Sequence, residues 1–205
     1  HSRRLSGRFA REWRARRPGD CILYRDIGQC PPRPVDAGWI HAAFTPADQR
    51  APWMNAALFE SDRLVDELVS ADIIVAGVPM YNFGVPAQFK AYIDNIVRVG
   101  RTFGFDRARE GVPYWPMLKD KPRKLVLLSS RGDYGYGPDQ RIAPMNHVEP
   151  ALTTAFGYIG IDDVESIAIE YDEFADQRLA TSIADAERQV DHLVERLALR
   201  TSGSD

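Results

Sequence analysis

The sequence predicts an α/β fold in which helices cover both faces of a central parallel β-sheet. Two segments, residues 72–78 and 124–129, are apolar almost throughout, as is typical of strands buried on both faces of a sheet. A third strand is predicted at residues 164–169. Segments in which apolar residues recur with helical period separate these strands. Strands that alternate with helices are typical of parallel sheets covered on both sides.

The other elements follow from periodicity and composition along the chain. A first helix is predicted at residues 2–16, and a short strand at 21–24 follows it. Residues 28–54 are predicted to be a long, polar connection because they contain several prolines. Further helices are predicted at residues 55–70, after Val85, at 146–158 and at 172–199.

Composition and charge narrow the class of protein. With 205 residues, the chain is expected to form one domain over residues 1–205. Its net charge of −3 argues against a nucleic-acid-binding protein. No run approaches the roughly 18 apolar residues of a membrane helix, and Cys21 and Cys30 form no C-x-x-C pair. We therefore expect a cytoplasmic protein with reduced thiols, without nucleic-acid or membrane partners.

Seven arginines lie among the first 17 residues, and two interpretations of them compete. One is a polybasic arm that binds an acidic partner. The other is the solvated face of a helix, since Leu5, Phe9 and Trp13 recur at helical spacing and form an apolar stripe. The stripe favours the helix face, because a tail would lack that periodicity.

The most informative segment is the turn that follows the predicted strand 72–78. It reads Pro79-Met80-Tyr81-Asn82-Phe83, and an amphipathic helix follows at once. In open α/β sheets, ligands bind in the crevice beyond the carboxyl ends of the strands. A loop with these residues suits a flat, partly polar ring, because apolar groups cover its face while amides bind its heteroatoms. The alternative is that the aromatic side chains only pack against the core.

The same segment carries a family resemblance. The run P-M-Y-N-F, the following P-A-Q-F-K-A-Y-I-D and the later R-x-G-R-T-F at 98–103 resemble the FMN-dependent NADH:quinone oxidoreductases, also called FMN-dependent azoreductases. The resemblance implies a flavodoxin-like three-layer sandwich with strand order 2-1-3-4-5. In that fold the first strand lies in mid-sheet and leads into a phosphate-binding loop. Only His1 and Ser2 match the end of that loop, so we expect the chain to be N-terminally incomplete and its first strand to be missing.

The resemblance also assigns residues to the cofactor and the substrate. His1 and Ser2 would bind the FMN phosphate, while Pro79, Met80, Tyr81, Asn82 and Phe83 would hold the isoalloxazine ring. A second loop, Ser130-Arg131-Gly132-Asp133, reads S-R-G-G in the family, and Asp133 replaces its second glycine. A carboxylate at that place is expected to lower the reduction potential of the flavin. Phe105 and Tyr158 match aromatic positions near the substrate.

Each assignment has a structural alternative. Ser2 alone is typical of a helix N-cap, and Ser-Arg-Gly-Asp is typical of an ordinary turn. Core packing is the alternative for Phe105 and Tyr158. The four histidines, which are His1, His41, His147 and His192, are scattered and predict neither a catalytic arrangement nor a metal site.

The resemblance implies an enzyme rather than a passive binding module. NADH or NADPH would reduce bound FMN and leave, and a quinone or azo compound would then be reduced at the same place, in a ping-pong order. A homodimer with FMN near the subunit interface is also implied. The alternatives are a flavodoxin-type electron carrier and a catalytically dead interaction protein. The sequence leaves the preference between NADH and NADPH open, because no ribose-reading acid or phosphate-reading arginine is recognisable.

Overall fold

The central sheet contains three parallel strands in a computed structural model that describes residues 1–201. A separate antiparallel hairpin contributes two short strands. The strands are β1 (Ile73–Pro79), β2 (Phe103–Phe105), β3 (Tyr114–Pro116), β4 (Lys124–Ser130) and β5 (Asp163–Ile169). The order β1-β4-β5 is in register, so that Pro79 pairs with Ser130 and Ser130 with Ile169. The carboxyl ends of all three strands therefore lie side by side.

Within the described residues the chain forms six helices, and five of them cover the two faces of this sheet. The six are α1 (Ser2–Arg16), α2 (Ala37–Phe44), α3 (Pro52–Ser70), α4 (Ala87–Ile96), α5 (Glu149–Ile159) and α6 (Gln177–Thr201). The remaining one, α2, packs on α3 instead. Leu125 and Leu127 of β4 pack on α3, α4 and α5, whereas Val126 and Leu128 pack on α1 and α6. This alternation confirms the predicted three-layer sandwich. Within residues 1–201, no helix combines the length and the apolar composition that a membrane span requires.

The arginines of α1 belong to a solvated helix face. Leu5, Phe9 and Trp13 are buried against the sheet and α6, as the stripe predicts. On the other side, Arg8 pairs with Asp191 at 2.6 Å across the two helices, and Arg4 pairs with Glu187 at 2.5 Å. Two of the α1 cations, Arg4 and Arg8, are thus matched by carboxylates of α6, while Arg3 pairs with Asp26.

Two predictions for the region between α1 and α3 are wrong. Residues 21–24 form no strand, and Leu23 and Tyr24 are exposed. A strand needs a hydrogen-bonded neighbour, and none of the described residues pairs with the edge of β1 that faces away from β4. The connection at 28–54 also contains a helix, α2, which is capped by Asp36 through a bond from the Trp39 amide at 2.8 Å.

Three helix starts differ from the predicted ones, and the hairpin β2–β3 was missed. The first is that of α3, which begins at Pro52 rather than at residue 55. α5 begins at Glu149 and α6 at Gln177, while Asp172–Phe174 form a short 3-10 turn. The hairpin β2–β3 was not predicted because strands of three residues leave no periodic signal.

Gly104→Ala is expected to lower the free energy of unfolding by about 1–3 kcal/mol, as overpacking does. Gly104 pairs with Trp115 in the hairpin, and a Cβ there would occupy the position of the indole ring. Chemical denaturation measures the change. Gly7→Ala is the control, since a Cβ at Gly7 in α1 meets nothing within 4 Å and should add about 0.5–1 kcal/mol. Equal effects of the two substitutions would contradict this packing.

Acid should weaken the fold through Glu165 in β5. Hydrogen bonds from Arg196 and Lys124 lower the pKa of Glu165 from its ordinary value of 4.5 to about 2. Because the pKa is lower in the folded state, the stabilisation is complete above about pH 4.5 and is lost as the pH falls towards 2. We expect Glu165→Gln to be less stable than the parent at pH 7 and to lose less stability between pH 4.5 and 2. The free energy of unfolding in urea, measured as a function of pH, compares the variants. The control is Glu195→Gln, at an exposed site in α6, which should keep the parent's pH profile. A Glu165→Gln profile equal to the parent's would refute the lowered pKa of Glu165.

Candidate active site

Most of the predicted site residues meet at the carboxyl edge of the sheet. The amide of Met80 donates to the carbonyl of Ser130 at 2.8 Å, which joins the two strand-end loops. The start of α1 packs on the end of β1, because a Cβ at Gly77 would lie 3.1 Å from the Ser2 carbonyl oxygen. His1 Nε2 lies 3.1 Å from Asp172, in the turn that follows β5. The helix start and both predicted loops are thus brought together.

The turn after β1 presents two amides and two aromatic rings to solvent. The Tyr81 amide donates to the Gly84 carbonyl at 2.9 Å, and the Gly84 amide donates back at 3.0 Å. Asn82 and Phe83 both have positive φ, 46° and 69°, as in a type I′ turn. Their amides find no acceptor among residues 1–201. Tyr81 is 62% exposed and Phe83 43%, so the alternative that these rings only pack in the core does not hold.

The second loop adds two more amides at the same edge. The carbonyls of Gly132 and Asp133 accept hydrogen bonds from Glu173 at 3.1 Å and Tyr171 at 3.4 Å. The amides of Gly132 and Asp133 have no acceptor within the described part of the chain. They are therefore available to a ligand.

The charge of Asp133 is balanced by a neighbour. Its carboxylate lies 2.6 Å from Arg141 Nη2 and also accepts the Tyr134 amide at 2.8 Å. The hydrogen bond from Arg141 lowers the pKa of Asp133. The effect of Asp133 on the flavin potential stays a prediction, and the structure pairs this carboxylate with the cation of Arg141.

Arg131 faces the protein interior rather than the edge. It is 6% exposed, and its guanidinium pairs with Glu149 and lies 3.6 Å from Glu170. The Tyr136 ring lies under it, with its centroid 5.3 Å away. The assignment of Arg131 to the cofactor stays a prediction, and with this orientation it concerns the backbone rather than the side chain. Sequence reasoning assigned neither Glu149 nor Glu170 to the site, although one opens α5 and the other directly follows β5.

The start of α1 has the character of an anion site. His1 is the N-cap and makes no side-chain capping bond, and Ser2 is the first helical residue rather than the cap. The first amides of a helix lack intrahelical acceptors, and the helix dipole favours negative charge there. His1 and the first turn of this 15-residue helix can therefore receive a phosphate.

Phe105 and Tyr158 lie away from this edge in the same chain. Phe105 stacks on Tyr114 at 4.7 Å, and Tyr158 contacts Phe103 at 5.2 Å. α5 begins at the carboxyl edge, where Glu149 accepts the Ser129 hydroxyl at 2.8 Å. Tyr158 lies nine residues further on, about 13 Å along the axis at 1.5 Å per residue. The expected substrate wall is thus not formed over the 80–83 turn by this chain alone.

A groove between α4 and α5 connects the two regions. It has a volume of about 560 Å³ and extends from His147, whose amide binds the Phe83 carbonyl at 3.0 Å, to Tyr158. Its walls are mostly small or apolar, and they include Ile93, Val97, Pro150, Ala151 and Ala155.

Comparison with known proteins places these features in a family. Residues 1–193 match the family model described as the flavodoxin-like fold. FMN-dependent NADH:quinone oxidoreductase 2 of Idiomarina loihiensis is 39% identical over 203 residues, 99% of this chain and 84% of the relative. The FMN-dependent NADH:quinone oxidoreductase of Opitutus terrae is 42% identical over 198 residues, 96% of this chain and 91% of the relative. The chain belongs to this oxidoreductase family.

Solved structures agree on the fold of this family member. An azoreductase from Bacillus anthracis superposes with a TM-score of 0.82 and 21% identity, covering 95% of this chain and 91% of the other. An FMN-dependent NADH-azoreductase of the same species, in complex with FMN, gives a TM-score of 0.82 and 18% identity over 96% and 91% of the two chains. Both confirm the flavodoxin-like sandwich.

Proposed function

We propose that this family member binds FMN at the carboxyl edge of its sheet and reduces quinones or azo compounds with NADH or NADPH. One observation carries the proposal. Four backbone amides, those of Asn82, Phe83, Gly132 and Asp133, have no hydrogen-bond acceptor within residues 1–201 and lie at one edge, next to exposed rings. Such donors match the heteroatoms of an isoalloxazine, and the adjacent α1 terminus matches its phosphate.

Different residues would bind the phosphate and the ring of FMN. His1 and Ser2 would hold the phosphate, and Met80, Tyr81, Asn82 and Phe83 would hold the ring together with the Gly132 and Asp133 amides. Pro79, Ser130 and Arg131 support the shape of the two loops. When bound, FMN would supply two-electron redox chemistry, with NAD(P)H as the donor and a quinone or azo compound as the acceptor in a ping-pong order. The residues of the chain orient both reactants and exclude water from the ring.

A homodimer would complete the substrate side of the site. In a two-fold dimer, the same surface of each subunit forms the interface. Residues at one end of the groove in one subunit therefore contact residues at the other end of the groove in its partner. Pairing along the α4–α5 groove would place Tyr158 of the partner subunit beside His147 and Phe83. The aromatic cluster of Phe105, Tyr114 and Tyr158 would then face the FMN of the partner. The apolar lining and the 40% exposure of Tyr158 support this arrangement.

A charged side chain introduced into the α4–α5 groove tests whether the dimer forms there. Ala151 is exposed and lines the groove, whereas Thr153 is exposed on α5 outside it. We expect Ala151→Arg to give monomers in sedimentation analysis and to lose quinone reduction while FMN still binds. Thr153→Arg should remain dimeric and active. A parent protein that is monomeric and fully active would refute the shared site.

A single assay tests the activity itself. The protein, expressed from its complete reading frame, is expected to be yellow and to oxidise NADH only when a benzoquinone is present. Colourless, folded protein would instead support a dead interaction protein. Colour without quinone-dependent turnover would support an electron carrier.

The proposal places the enzyme in the cytoplasm, where NADH and NADPH are supplied. Cys21 and Cys30 are free and exposed thiols, which persist in a reducing compartment. Immunolocalisation or fractionation that finds the protein outside the cytoplasm would contradict this placement.

A further inference from the structure

A buried charged cluster lies directly beneath the proposed FMN loops. We call Arg131, Glu149 and Glu170 the Arg131 cluster. Arg131 is 6% exposed, and the side chains of Glu149 and Glu170 are 13% and 21% exposed. The guanidinium pairs with Glu149 and lies 3.6 Å from Glu170. One cation therefore bridges two carboxylates from different elements.

The remaining bonds of the cluster connect three parts of the site. Glu149, in the first turn of α5, also accepts the Ser129 hydroxyl at 2.8 Å. Glu170 accepts the amides of Gly135 and Tyr136 at 3.1 and 3.3 Å. The Arg131 amide donates to Ile169 at 2.9 Å. The cluster thus fixes both ends of the loop that carries Gly132 and Asp133.

Stability alone does not explain this arrangement. Arg131 Nε and Glu149 Oε2 are buried and have no hydrogen-bond partner in the part of the chain that the structure describes. Buried polar atoms without partners destabilise the fold, and a well-packed apolar trio is often as stable as a buried ion cluster. A charged cluster of this kind, placed next to a ligand site, is better explained by the geometry that it imposes.

We propose that Arg131, Glu149 and Glu170 are positioning residues for the cofactor. They do not touch FMN; they hold the Gly132 and Asp133 amides in place and fasten that loop to α5, the helix that carries Tyr158. The inference rests on the proposed function, because the loop matters only if FMN binds there.

Neutral variants of the two carboxylates test the role. Glu149→Gln and Glu170→Gln keep the shape of each side chain and remove its charge. Each is expected to weaken FMN binding about tenfold, at the low end of the loss seen when supporting partners are removed at metal sites. Quenching of flavin fluorescence during titration of the apoprotein gives Kd. The visible circular dichroism of bound flavin should change as well, because the ring sits differently. Arg131→Lys, which keeps the charge without the planar fork, should fall between the parent and the neutral variants.

Glu165→Gln is the matched control. Glu165 is also a partly buried carboxylate between two cations, Lys124 and Arg196, but it lies at the opposite end of the sheet. It should reduce stability while leaving the FMN Kd and dichroism unchanged. The inference is overturned if Glu149→Gln and Glu170→Gln lose stability with a parental Kd and dichroism, as the control does. If Glu149→Gln does not fold, the FMN Kd and dichroism of Glu170→Gln alone decide whether the inference holds. A folded parent that binds no FMN would refute the proposed function instead.

Discussion

Asn82→Pro is expected to weaken FMN binding by about 100-fold while the protein stays folded. Asn82 has a φ of 46°, and proline fixes φ near −65°. The turn closed by Tyr81 and Gly84 could not form, and the amides of residues 82 and 83 would be lost or misdirected. Two hydrogen bonds of about 1–1.5 kcal/mol each correspond to this loss. Because the turn is exposed, far-UV circular dichroism should stay unchanged.

Asn82→Gly is the matched control for the turn. Glycine adopts positive φ without strain, so the turn and both amides are kept and only the side-chain amide is removed. FMN binding should weaken by less than about tenfold, the equivalent of one hydrogen bond. Titration of the two apoproteins with FMN compares them directly. Equal Kd values for the proline and glycine variants would show that the turn geometry does not contribute to binding.

Arg98→Ala should lower the free energy of unfolding by about 3 kcal/mol, as deletion of a large buried side chain does. Arg98 is 1% exposed, and its Nη1 lies 2.9 Å from Ser61 Oγ and 3.2 Å from Asp62. The guanidinium also lies over the Trp39 ring, 5.4 Å from its centroid. The substitution removes these contacts and leaves a cavity. Urea denaturation with linear extrapolation measures the change.

Arg101→Ala is the control that distinguishes the effect of burying an arginine from the effect of its ion pair. Arg101 pairs with the same carboxylate, Asp62, at 3.1 Å, but its side chain is 37% exposed. Exposed ion pairs contribute about 1 kcal/mol or less, so this variant should lose little stability. If the two alanine variants were equally destabilised, the buried position of Arg98 would not be the cause.

The sheet and the cofactor edge follow from local sequence. The apolar runs of β1 and β4 require burial on two faces, and their ends then define where the loops at 79–83 and 130–133 lie. The motif R-x-G-R-T-F resembles the family, yet its first arginine and threonine act inside the fold. Thr102 accepts the Arg98 amide at 2.8 Å and donates to Ile96 at 2.6 Å. A motif match therefore does not show which of its residues bind a ligand and which stabilise the fold.

The errors arise where a residue depends on distant partners. Residues 21–24 have strand character but no described neighbour to pair with. The inward orientation of Arg131 depends on Glu149 and Glu170, which are 18 and 39 positions away in the sequence. The distance of Tyr158 from the carboxyl edge could have been predicted from its place near the end of α5. A helix that starts at the carboxyl edge and returns along the sheet must end far from it, so its last residues cannot cover a ligand at its start.

Equilibrium titration of FMN into the apoprotein tests the central claim most directly. The protein, made from its complete reading frame and shown to be folded, should quench flavin fluorescence until one FMN is bound per chain. If folded protein leaves the fluorescence of FMN unchanged at saturating concentrations, the carboxyl edge of the sheet is not a flavin site.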